Sequence, residues 1–194
     1  MKQYKIISPP FTLEFKEMPK KELVDYYEWY IASIPERVRN LTEAVKSTPG
    51  YEKWQPDYTP DSLNLLGEWF AKQIQTRKMT IGEKDKIYAQ GPEWFKTVKI
   101  SNEELTNKTF SLAIDIGMYM SHVFLKNHRS LKWKHIIKGS KNFVDYGQPI
   151  LEGFRGDCFN PVHMLVVLAY SLADKTKGNN GLRELYDKWQ KFIE

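Results

Sequence analysis

Helical spacing over most of the chain, two segments with apolar arcs too wide for an ordinary surface helix, and two short stretches of period-two alternation predict an α+β fold, mainly α. The expected architecture is two central buried helices surrounded by amphipathic helices. A small antiparallel sheet, built from the N-terminal segment and residues 131–151, completes it. With 194 residues and 41% hydrophobic content, one globular domain over 1–194 is expected. A chain of that size buries roughly 70% of the surface it exposes when unfolded, so no disulfide or metal is needed to hold it.

Each element has its own signal. Residues 11–15 alternate Phe11, Leu13 and Phe15 against Thr12 and Glu14, which predicts an edge strand after the Ser8-Pro9-Pro10 break. Pro19 opens a helix over 20–34 with Leu23, Tyr26, Tyr27, Tyr30, Ile31 and Ile34 at helical spacing, and Pro35 is expected to end it and restart a second helix. Thr59-Pro60 reads as cap and first residue of a helix presenting Leu63, Leu66, Phe70 and Ile74. Residues 78–100 hold Gly82, Gly91 and Pro92 and read as a connection.

A helix over about 102–126 places Leu105, Leu112, Ile116, Met120 and Phe124 in an apolar arc of roughly 200°. Gly117 lies in that arc, where a missing side chain admits a close neighbour. Glu104, Lys108, Ser111, Asp115, Tyr119, His122 and Lys126 fill the remaining stripe, the expected wet side. LKWKHII at 131–137 alternates like a strand, with residues 142–146 as its hairpin partner and 148–151 as a further edge. Asn160-Pro161 caps VHMLVVLAYSLA, apolar nearly all round and expected to be fully buried, and an amphipathic helix with Leu182, Leu185, Tyr186, Trp189 and Phe192 closes the chain.

Composition and motifs exclude several function classes. The single cysteine, Cys158, cannot form an internal bridge, which fits a reducing compartment, and the first residues lack a leader pattern, so a cytoplasmic location is expected. The longest apolar stretch, 162–173, is too short for the ~20 residues that span a bilayer, so no membrane association is expected. One cysteine and no HExxH, CxxC or acid-rich loop argue against a metal, and without GxxxxGK[ST], GxGxxG or GxSxG neither a nucleotide cofactor nor a serine-hydrolase elbow is expected.

Three sets of residues remain as site candidates. Asp115, Tyr119 and His122, at i, i+4 and i+7, share a helix face on which a carboxylate orients an imidazole for general-base work. Cys158 precedes a helix start carrying His163 in its first turn, an arrangement that favours a thiolate. The 29 basic and 24 acidic residues give a net charge of +5, yet residues 116–144 hold no acid. Lys126, Arg129, Lys132, Lys134, Lys138 and Lys141 fall there with His122, His128 and His135, a stretch suited to an acidic protein partner or, less favoured, to nucleic acid. Trp54 and Trp94 lie in breaker-rich stretches and read as interaction aromatics.

The second half carries GMY (117–119) in a helix, LKW (131–133), a Gln148-Pro149 turn and FNP (159–161) opening an apolar helix. Over residues 105–190 this order resembles a family of uncharacterised bacterial proteins. The resemblance implies a bacterial protein and assigns no catalytic residue. The expected function is a binding or accessory module, with an enzyme using Asp115 and His122 and an anion or nucleic-acid binder over 122–141 as alternatives.

Overall fold

The structure is a computed structural model and describes residues 4–90 and 102–193, with backbone alone for 86–90. It has the predicted α+β, mainly α architecture, and its buried side chains form one continuous core. Helix α1 spans Lys20–Lys46 without interruption, so Pro35 does not divide it. A proline inside a helix removes one backbone bond and crowds the preceding turn. Here one buried stripe, from Leu23, Tyr26, Tyr30 and Ile34 through Val38 and Leu41 to Val45, carries the helix across that defect, with Pro35 itself on the exposed side.

Residues 4–14 run along the body without joining a sheet, which corrects the expected N-terminal strand. Their alternation reflects anchoring by side chains. Phe11 packs edge-on against Tyr26 at 5.5 Å and Trp29 at 5.8 Å, and Phe15 meets Tyr26 at 5.1 Å.

Helix α2, Ser62–Gln73, buries Leu63, Leu66 and Phe70 as predicted, with Trp69 beside them, but it starts after Asp61 and not at the expected Thr59-Pro60, and Ile74 falls just past its end, half-buried. After it come strand β1, Thr76–Lys78, and helix α3, Ile81–Gln90, where a connection was expected. Strand β2, Glu103–Leu105, pairs antiparallel with β1, with Arg77 opposite Glu104. Helix α4 therefore begins at Asn107, capped by the Thr106 hydroxyl accepting from Thr109 N, and ends at Asn127. It is the central helix, buried from Thr109 to Phe124 on almost every side.

Strand β3, Lys132–His135, pairs with β4, Pro149–Phe154, and β4 with β5, Asp157–Phe159. Residues 142–146 form turns instead of the expected hairpin partner, and the segment expected at an edge is the central strand. The reason lies in burial: Ile150 and Leu151 are a fully buried apolar pair, which suits a middle strand, whereas Asp145 is drawn off to accept a 2.7 Å hydrogen bond from Asn160 Nδ2.

Asn160 also caps helix α5, Pro161–Ala173, by accepting from His163 N, with Pro161 in the first turn as predicted. Helix α5 packs against α4 where Gly117 removes a side chain. A Cβ there would lie 2.8 Å from the Pro161 carbonyl oxygen. Helix α5 is buried at Pro161, Leu165, Leu168 and Ala169 and partly buried around them, while Val167 is 48% exposed, so the expectation of burial all round fails on its outer face. Helix α6, Gly181–Trp189, and a 3-10 turn, Gln190–Phe192, complete the described chain.

Candidate docking groove

The three residues proposed for general-base work do not act together. Asp115 is fully buried, and both its oxygens are taken: Arg37 Nε donates to Oδ1 at 2.7 Å, Arg37 Nη2 to Oδ2 at 2.8 Å, and the Tyr4 hydroxyl to Oδ2 at 2.5 Å. Burial pushes its carboxyl up to about 6, against the opposing pull of Arg37 and Tyr4. Tyr119 is buried as well, bonded to the Ser62 hydroxyl at 2.7 Å and accepting from Tyr58 N. His122 is half-buried beside the Tyr58 ring, with its pKa lowered by burial. The middle of the stripe expected to be wet, Ser111, Asp115 and Tyr119, is thus covered by α1, the N-terminal segment and the loop before α2, while Lys126 at its end stays exposed. Arg37 and Tyr4, the partners that make this possible, carry no local sequence signal.

Cys158 lies in β5 and His163 on the exposed side of α5, with no bond between them. Burial, reinforced by Asp145 and Asp157, raises the thiol pKa, the reverse of an activated thiolate. The basic stretch is dispersed by folding. Lys126 donates to the Asp57 carbonyl at 2.7 Å, Lys141 to the Lys16 carbonyl, and Lys132 and Lys134 both pair with Glu152, which β4 brings opposite β3. Arg129 remains exposed. Trp54 is a core residue, 3% exposed, with its indole N–H donated to the Ser62 carbonyl, and Trp94 lies outside the described residues.

The feature that sequence reasoning missed is a groove of about 650 Å³ between α5, α6 and the β4–β5 turn. Met164, Val167, Leu168 and Ser171, at i, i+3, i+4 and i+7, form one wall, and Leu185, Trp189 and Phe192 the other. Trp189 is held edge-on by Phe154 at 5.3 Å and Phe159 at 5.2 Å, so that wall is fixed by the core. At the rim, Lys177 and Glu184 form an ion pair of 3.0 Å, while Arg155 and Lys188 have no ion-pair partner among the described residues. The arrangement is an apolar trough bordered by three charges without ion-pair partners among the described residues, the cations Arg155 and Lys188 and the carboxylate of Asp157, which accepts from Cys158 N. The available signal was the all-round apolar character of α5, which describes a helix with a second partner as well as a buried one.

Among the described residues no cluster of His, Cys, Asp and Glu is placed to hold a metal ion, and no helix is long and apolar enough to cross a membrane. Comparison with family models, curated proteins and solved structures gives no match.

Proposed function

We propose that this protein is a binding module whose docking site is the α5–α6 groove, and that its partner is a protein segment with an apolar stripe flanked by acidic residues. The observation that carries this reading is the outer face of α5, apolar and 48% exposed at Val167, set opposite a wall locked in place by Trp189. An exposed apolar surface of this kind costs free energy in water unless something covers it. A trough between helices suits an amphipathic helix or turn whose anchors enter at helical spacing. With Lys177 already satisfying Glu184, Arg155 and Lys188 outnumber the one remaining rim carboxylate, Asp157, and supply the complementary charge for acidic flanks.

Selection from a random peptide library against the full-length protein tests the proposal. Amphipathic sequences with flanking Asp or Glu should be enriched. Their affinity should fall at least tenfold on Val167→Glu, and Lys188→Glu should weaken them and reduce their salt dependence. Selected peptides that bind Val167→Glu as tightly as the wild type, or a selection that enriches nothing, would refute the reading.

A further inference from the structure

The buried polar cluster of Arg37, Ser111 and Asp115 is built around a guest, and the guest is the chain's own N-terminal segment. Tyr4 donates its hydroxyl to Asp115 and accepts from Arg37 Nη2 at 3.0 Å. Arg37 Nη2 also donates to the Lys5 carbonyl at 2.9 Å, and Ile7 N donates to the Ser111 hydroxyl at 2.8 Å. A phenol, a carbonyl and an N–H, spaced over four residues of extended chain, thus fill one seat between α1 and α4. Burying an ion pair does not by itself stabilise a core, and the seat becomes favourable only when its remaining donors and acceptors are met.

The attachment of this segment is confined to its ends. Tyr4 to Ile7 occupy the polar seat, and Phe11 and Phe15 pack on Tyr26. Between them lies Ser8-Pro9-Pro10, where two residues have no N–H to give, and Ile6, Ser8, Pro10 and Thr12 face outward. A segment with a specific seat and a link free of backbone bonds to the body is the element that chains exchange at low cost.

We propose that the Arg37–Ser111–Asp115 seat accepts residues 4–7 in trans, so that two copies of this chain associate by exchanging N-terminal segments. The occupant is defined by the seat's chemistry: extended backbone with a tyrosine three residues before a free N–H.

Two full-length variants test this by complementation. Tyr4→Ala with Ile7→Pro disables the segment and leaves the seat. Arg37→Met with Asp115→Leu fills the seat with apolar side chains and leaves the segment. Each should sediment as a monomer, and an equimolar mixture should form a one-to-one heterodimer. A mixture that stays monomeric, with both variants retaining wild-type helical circular dichroism, overturns the proposal. Should the Met/Leu variant not fold, a labelled peptide of residues 4–15 replaces it. That peptide should bind the Tyr4→Ala, Ile7→Pro protein saturably and at least tenfold more tightly than its Tyr4→Phe form, and equal or absent binding overturns the proposal.

Discussion

Asp115 shows how a single residue changes meaning between a helical wheel and a folded chain. On the wheel it shares the polar stripe with Lys108 and Lys126, and the stripe reads as solvent-facing. The carboxylate is instead enclosed because Arg37, on a different helix, and Tyr4, on an extended segment, reach it. Periodicity reports which residues share a face and says nothing about what lies across from it. Replacing Asp115 by Ala removes both acceptor oxygens, which a protonated carboxyl would keep in place, leaves the Arg37 guanidinium and the Tyr4 hydroxyl without their partner, and should cost about 3–5 kcal/mol in urea unfolding. Because burial raises the folded-state carboxyl above its unfolded value, the folded protein holds that proton more tightly. The sign follows: this group's contribution to stability declines as pH rises from about 4 through about 6, and returns on acidification. The wild type should therefore gain stability relative to the Arg37→Met, Asp115→Leu variant as pH falls through that window. An unchanged difference between the two unfolding midpoints would contradict this account.

At the scale of elements, legibility depended on whether the deciding contact was local. The caps at Thr106 and Asn160 are local, and Asn160-Pro161 was legible as a helix start. Pro35 was read as a break from the same local rules and is not one, because a buried stripe spanning both sides of it outweighs one lost hydrogen bond. The partner of β3 was misassigned for a related reason: short sequence separation favoured 142–146, but the choice was made by burial of Ile150 and Leu151. Gly117 was legible as a point of close approach, and its role yields a test. Gly117→Ala places a methyl against the Pro161 backbone and should destabilise by about 1–3 kcal/mol, despite a helix-propensity gain of about 1 kcal/mol. Gly82→Ala in α3, where an added Cβ meets nothing within 4 Å, should instead leave stability unchanged or raise it by up to about 1 kcal/mol. Equal effects at the two glycines, read by thermal unfolding, would show that α5 does not press on α4 at this point.

For the whole molecule, the balance of polar and apolar surface was the least legible property. Counting charges along 116–144 gives an acid-free basic stretch, yet the fold sets Glu152 between Lys132 and Lys134 and draws Lys126 and Lys141 onto backbone carbonyls. Counting apolar residues along α5 gives a buried helix, yet Val167 on its outer face is 48% exposed. Both errors come from the same source, since a linear window cannot show how many neighbours a segment acquires. What results is a molecule in which much of the 116–144 basic stretch is paired within the fold, while Val167 and Phe192 leave apolar surface exposed along the α5–α6 groove. The most direct test of that groove is methyl and indole NMR of the full-length protein titrated with a selected acid-flanked peptide. The account predicts shifts at the methyls of Met164, Val167, Leu168 and Leu185 and at the Trp189 indole, with Trp54 and Trp133 unmoved. Shifts centred on the basic strand β3, with the α5–α6 signals unchanged at saturation, would contradict it.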